Sequence, residues 1–142
     1  LKTFAAVGER AKPHADKVAA LLKDTSPEVR EMAVTLLTDW GHSSPEVVQE
    51  LSAMAAGDEN AVARSTALEA LSKLGAQEEF LKASKAILAG DDAYLKREAL
   101  YAIGQSSKES VTAMKAELEA IAGGSDEALA SVAKSALKTL EE

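Results

Sequence analysis

Apolar residues return along this chain in two interleaved ladders. Val29, Ala33, Leu36, Leu37 and Trp40 fall at offsets of 0, 4, 7, 8 and 11, one stripe of a 3.6-residue period and therefore one face of an amphipathic helix. The stripe recurs as Ala63, Ala67, Ala70, Leu71 and Leu74, again as Leu95, Ala99, Ala102 and Ile103, and finally as Leu129, Ala133, Ala136, Leu137 and Leu140. Its alanines at 33, 67, 99 and 133 are spaced 34, 32 and 34 residues apart. The intervening segments repeat too: His14, Val47, Phe80 and Met114 form one column, and Val18, Leu51, Ser84 and Leu118 the next. Leu21, Met54, Ile87 and Ile121 follow, then Leu22, Ala55, Leu88 and Ala122. A lone helix cannot cover such a stripe, so two ladders on one period predict stacked helical units.

The pattern predicts first (A) helices near 13–23, 45–56, 77–89 and 107–122, and second (B) helices near 27–40, 60–74, 92–104 and 127–140. Asp24, Thr25 and Ser26 can accept hydrogen bonds from the amides that open a helix, and Pro27 suits its first turn. Ser44 before Pro45 is a second start signal, and Ser106 with Glu109 reads as a capping box. Gly41, Gly75 and Gly104 read as helix terminators, and Gly57-Asp58, Gly90-Asp91 and Gly123-Gly124 as turns. Short turns make each pair antiparallel.

The run DTSPEVREMA from Asp24 to Ala33 resembles the second helix of a HEAT repeat, and the later copies keep its acidic residue, basic residue and alanine while losing the proline. The resemblance covers nearly the whole chain. It implies an all-α fold, an α-α superhelix (HEAT-like solenoid) of about four antiparallel helix pairs plus a partial N-terminal helix. One domain over 1–142 is expected, with repeats at 12–41, 44–75, 77–104 and 107–142. Phe4, Ala6, Val7 and Gly8 match Leu100, Ala102, Ile103 and Gly104, so residues 1–8 read as the remnant of an upstream B helix, and the chain as a fragment of a longer one. At the other end, the column Val34, Leu68, Leu100 finishes in Lys134, and Arg30, Arg64, Lys96 finishes in Ala130; the fourth pair is expected to be a C-terminal cap. The resemblance also implies a polar ladder between neighbouring repeats, for which Asp24 with Arg30, Asp58 with Arg64 and Asp91 with Arg97 have the spacing, although the alanine alignment puts Lys96 in the third basic position. The period is nearer to the compact lyase-type units than to most HEAT repeats. Neither the tetratricopeptide Trp-Leu-Gly-Tyr pattern nor the ankyrin Thr-Pro-Leu-His is present.

Composition narrows the function classes. Much of the 46% hydrophobic content is alanine and only 4% of residues are aromatic, which favours helix nearly throughout. With 16 basic against 23 acidic residues the net charge is −7; a net acidic chain without a basic cluster is a poor partner for phosphate backbones, so no nucleic acid is expected. No apolar run reaches the roughly 18 residues of a membrane span, so no membrane partner is expected. The start LKTFAAVGER is neither a signal peptide nor an initiator methionine. Cysteine is absent, excluding disulfides and thiolate metal sites and fitting an intracellular, cytoplasmic location.

Catalytic signals are missing: there is no GxSxG, HExxH, P-loop, GxGxxG or EF-hand spacing. His14 sits in an apolar column and reads as a half-buried packing residue; His42 falls in the polar turn after Gly41 and reads as solvated. Glu78-Glu79 and Asp91-Asp92 lie at helix N-termini, where the helix dipole favours negative charge. No enzyme activity, cofactor or metal is therefore expected. Trp40 reads as core or as an interface anchor. What remains is surface. B helices line the concave side of a HEAT stack, and two columns should point outward there: Glu31, Ser65, Arg97, Ser131 and Thr35, Glu69, Tyr101, Ser135. Glu31, Thr35, Glu69, Arg97 and Tyr101 are the candidate partner-binding residues, Tyr101 being either an ordinary exposed tyrosine or the anchor of a peptide or protein site. The leading expectation is a non-enzymatic scaffold holding a protein partner of unknown identity on its concave face or repeat turns. The alternatives are a domain or subunit of an enzyme resembling the HEAT-like bilin lyases, and a TOG-like tubulin-binding module, which the Val29 to Trp40 run resembles.

Overall fold

The computed structural model describes residues 13–141. Among these, every regular element is helical, in the antiparallel pairs of an all-α, HEAT-like architecture. The elements are α1 (13–20) running into a 3-10 turn at Leu21–Lys23, α2 (Pro27–Asp39), α3 (Pro45–Gly57), α4 (Ala61–Lys73), α5 (Gln77–Ala89), α6 (Ala93–Gln105), α7 (Lys108–Ala113), α8 (Lys115–Ala122) and α9 (Glu127–Lys138), followed by a 3-10 turn at Thr139–Glu141. The expected upstream remnant at residues 1–8 lies outside the described residues. No helix among those described is long and apolar enough to cross a membrane.

The chain forms two compact units, Leu1–Ala76 and Gln77–Glu142. In the first, α3 and α4 make one antiparallel pair, α2 packs on its own preceding turn, and the two B helices α2 and α4 lie side by side. In the second, α5 pairs with α6, α8 with α9, and the B helices α6 and α9 lie side by side. Each unit is thus two repeats stacked B helix on B helix.

The caps follow from short polar side chains placed three residues before an unpaired amide. Ser26, Ser44, Asn60, Asp92, Ser107 and Asp126 each accept the N–H of the residue three positions on. The cap of the fourth A helix is therefore Ser107 and not Ser106, whose hydroxyl instead donates back to the Ile103 carbonyl. Gly41 and Gly75 close α2 and α4 in the left-handed region, at φ 65° and 78°. There the N–H groups of His42 and Ala76 reach back to the carbonyls of Leu37 and Leu71 at 2.9 Å. Gly104, expected as a terminator, lies inside α6 with right-handed backbone.

The core is built on the alanine column. Ala33, Ala67, Ala99 and Ala133 are 1, 0, 0 and 0% exposed, small enough to let neighbouring helices approach closely. Beside them Val34, Leu68 and Leu100 are buried, whereas Lys134 is exposed. In α2 the buried face is Arg30, Ala33, Val34 and Leu37; Val29, Leu36 and Trp40 from the expected stripe are only half-buried. The B helix packs toward its neighbouring B helix as well as its own A helix, and that rotates the covered face. Trp40 itself is the C-cap of α2. In the A-helix column, Val47, Phe80 and Met114 are buried as expected, but His14 is exposed and Ala15 takes its place, with Leu22 buried and Leu21 exposed. The first A helix thus presents Ala15 rather than His14 to the core, and it ends in a 3-10 turn at Leu21–Lys23. His42 is half-buried. The fourth A helix is broken rather than continuous: Met114, fully buried, stands between α7 and α8 at φ −102° and ψ 8°.

Ser84 occupies the column of Leu51 and Leu118, is completely buried, and its hydroxyl has no hydrogen-bond partner. Removing an unsatisfied buried hydroxyl relieves a desolvation penalty, so Ser84→Ala is expected to raise the unfolding free energy by about 1 kcal/mol. Ala99→Leu, which forces extra methylenes into the alanine column, should lower it by about 1–3 kcal/mol. Urea unfolding followed by helical circular dichroism measures both, and a neutral Ala99→Leu would show that the column is not close-packed.

Candidate interaction surface

Side-by-side B helices leave a groove along their outer faces, and each unit has one. In the first unit, Val34, Thr35, Thr38 and Asp39 of α2 face Thr66, Glu69, Ala70 and Lys73 of α4 across a shallow depression of about 80 Å³. In the second, Leu100, Tyr101, Gly104 and Gln105 of α6 face Ser131, Val132, Ser135 and Ala136 of α9 across about 230 Å³. The grooves are the same feature built twice. Thr35 and Tyr101, Thr38 and Gly104, Asp39 and Gln105, Thr66 and Val132, and Glu69 and Ser135 all lie 66 positions apart.

The difference in size has a local cause. Thr38 puts a branched side chain, tied to the Val34 carbonyl at 2.7 Å, where α6 has Gly104. Glu69 reaches along α4 to Lys73 at 2.8 Å, where α9 has the short Ser135. A Cβ at Gly104 would meet the Ala136 Cβ at 3.5 Å, an ordinary contact. The glycine is therefore not needed for the helices to approach; its effect is to deepen the groove floor.

Thr35 and Glu69 share the first groove, and Tyr101 shares the second with Ser131 and Ser135 of the same outward columns. Tyr101 is 53% exposed, an amphipathic ring on the groove wall. Glu31 and Arg97 stand outside the linings. Glu31 is half-buried one turn before Thr35, whose hydroxyl donates to its carbonyl at 3.0 Å. Arg97 is exposed, lies over the Tyr94 ring at 5.9 Å, and approaches Glu98 at 3.8 Å. Sequence reasoning missed Gly104 and Val132 as groove residues. The 66-residue correspondence was legible, but which face lies open depends on how far each B helix is rotated by its neighbour.

The expected polar ladder has one firm rung, and it crosses between repeats. Arg30 Nε donates to Asp58 Oδ2 and its Nη2 to Oδ1, both at 2.8 Å, with side chains 8 and 6% exposed. The remaining guanidinium nitrogen donates to the carbonyls of Asp24 and Thr25, at 2.7 and 3.2 Å. Asp58 also accepts the Asn60 N–H at 2.8 Å. One side chain thus stitches the turn before α2 to the turn before α4. Asp24 contributes its carbonyl to Arg30 rather than its carboxylate, which caps Ser26 N–H instead. Arg64 follows a different pattern again, donating to the Ala55 carbonyl at 3.1 Å. Burial by itself would raise the pKa of Asp58; the hydrogen bonds from Arg30 and Asn60, with the charges of Arg30 and Arg64, outweigh it and hold the carboxyl below its ordinary value.

Among the described residues, no group of three or more His, Cys, Asp or Glu is placed to hold a metal ion. Paired helices stacked B on B, with an alanine column between and an arginine bridging successive turns, define an all-α repeat protein. The model of the family HEAT repeats matches residues 15–104, and the chain belongs to the HEAT-repeat family. No curated protein matches the sequence. HEAT repeats generally serve as protein-interaction scaffolds and are typically non-enzymatic.

A carboxylate whose folded-state pKa is lowered stabilises the fold above its unfolded pKa of about 3.9 and loses that contribution as pH falls through the folded value. Asp58→Asn should therefore destabilise the protein at pH 7 by clearly more than Lys73→Ala, which breaks an exposed pair, and should flatten the acid limb of the stability profile below about pH 4. Thermal melts across that range provide the measurement; an unchanged acid limb in Asp58→Asn would show that the rung is not the group being titrated.

Proposed function

We propose that this protein is a non-enzymatic scaffold that holds a partner protein in the grooves between successive B helices, chiefly the α6–α9 groove of the second unit. The observation that carries this is Tyr101, an exposed aromatic side chain on the wall of a groove deepened by Gly104. Aromatic rings that combine apolar area with a polar tip are favoured at recognition sites because they order little on binding. Groove size weighs against the chromophore-handling alternative: about 230 Å³ suits a partner's side chain or two, below the roughly 300–1,000 Å³ of small-molecule sites. A TOG-like reading needs intra-repeat turns offered to tubulin, and in the first unit those turns are occupied by the Arg30–Asp58 network.

Gly104→Ala and Tyr101→Ala test the site from opposite directions. The first fills the floor while improving helix propensity by about 1 kcal/mol, so it should not unfold the protein. The second removes the anchor. Against a partner isolated by affinity capture and identified, each is expected to weaken binding at least about tenfold, or about 1.4 kcal/mol, in a titration calorimeter. Undiminished affinity in both would remove the groove as the site, and failure to find any protein partner would remove the scaffold reading itself.

A further inference from the structure

Within each unit the second B helix shows what a preceding B helix covers. Across the first seam α4 presents Thr66 and Ala70 to α2, and across the second α9 presents Val132 and Ala136 to α6. Ala70 and Ala136 are each 2% exposed. The matched positions of α2, 34 residues before Thr66 and Ala70, are Met32 and Leu36. Met32 is 63% exposed and Leu36 half-buried, and both are bulkier than the residues they match. With Val29 and Trp40, also half-buried, they make a stripe at offsets of 0, 3, 7 and 11 along one edge of α2. The counterparts of Val29, which are Ala63, Leu95 and Leu129, are all buried, so in that column α2 alone is short of cover. An apolar edge of this kind, in the position where the other seams hold a helix, marks a docking surface.

We infer that the occupant is the chain's own opening segment, residues 1–9, laid along the Met32–Leu36 edge as a B helix, with Phe4 against Met32 and Gly8 against Leu36. Phe4, Ala5, Gly8 and Glu9 stand 96 positions before Leu100, Tyr101, Gly104 and Gln105, the residues that α6 turns toward α9. The volumes are complementary as well. Gly104 and Ala136 meet so closely that a Cβ on the glycine would lie 3.5 Å from the alanine's; with Leu36 in the place of Ala136, a glycine opposite is what leaves room for the larger side chain. Phe4 beside Met32 sets an aromatic ring against a thioether, a favourable contact. The connection fits too, since α1 begins at residue 13 and a short turn makes the segment antiparallel to α1, hence parallel to α2, as successive B helices are. A helix of about nine residues is unstable alone in water, so this one holds only while docked. Glu9 falls near Asp39, a like-charge approach at an exposed position where solvent and salt screen it. The inference concerns the first unit and is independent of the α6–α9 groove.

Because the chain has no cysteine, a pair of introduced thiols reports the contact directly. Gly8→Cys with Leu36→Cys, oxidised with diamide in the full chain, is expected to form an intramolecular disulfide in most molecules. The matched Gly104 and Ala136 would set their Cβ atoms 3.5 Å apart, within the range such a bond needs. Gly104→Cys with Ala136→Cys is the positive control, and Gly8→Cys with Gln49→Cys, on the exposed side of α3, the negative one. Non-reducing electrophoresis and mass spectrometry of tryptic peptides read the linkage. A second measurement uses the native methionines. Phe4→Ser should raise the rate of Met32 oxidation by dilute hydrogen peroxide at least about threefold, while Met54 and Met114, both buried, stay slow and report an intact core. Absence of the 8–36 linkage when the positive control links, linkage no faster than at 8 and 49, disulfides only between two molecules, or a Met32 rate unmoved by Phe4→Ser would each overturn the placement. None of these outcomes bears on the scaffold reading, whose site lies in the other unit.

Discussion

A two-helix unit carries more apolar surface than its own two helices can cover, and that excess is what everything else here depends on. In α2, Val34 and Leu37 are as fully buried as the residues of any core, and α2 packs both on its own preceding turn and on the neighbouring B helix α4. Hydrophobic burial of this kind is non-directional, so it requires a neighbour without fixing where that neighbour sits. The alanine column supplies the missing precision. With side chains no larger than a methyl at Ala33, Ala67, Ala99 and Ala133, backbones approach until the larger residues on either side interlock.

The polar interactions add direction to that packing. Arg30 converts two surface turns into one connected element by satisfying carbonyls on its own side and a carboxylate on the other. Because the pair is almost fully desolvated and every contact is a charged hydrogen bond, misplacing either turn would strand a buried charge. The same network covers the Arg30 and Asp58 side chains in those turns. What the second unit leaves open is the outer seam between its B helices, and the proposed function is located there.

Matched positions that carry different side chains give the two grooves different depth and charge. Residues 66 apart keep the same backbone environment, so exchanging Thr38 for Gly104 or Glu69 for Ser135 changes depth and charge without disturbing the stack. Positions packed between helices are constrained by volume, whereas exposed positions on the seam differ in charge between the units, as Glu31 and Arg97 do.

By itself the sequence determined that the chain is helical, how many pairs it forms and which residues cap or close several of them, because helical period, proline, serine and glycine signals are local. Ser26, Ser44, Gly41 and Gly75 act where their neighbours along the chain say they should. The sequence misassigned His14, Ser106 and Gly104 and did not show the break at Met114; for His14, which side of the first helix is covered depends on what packs against it and not on the period alone. Only the tertiary structure decided that Arg30 pairs with Asp58 rather than with its own Asp24, and that Tyr101 stands on a groove while Arg97 stands beside it. A residue's column follows from its distance along the chain; its partner follows from which helix lies across from it, and that is set by the sum of many packing contacts.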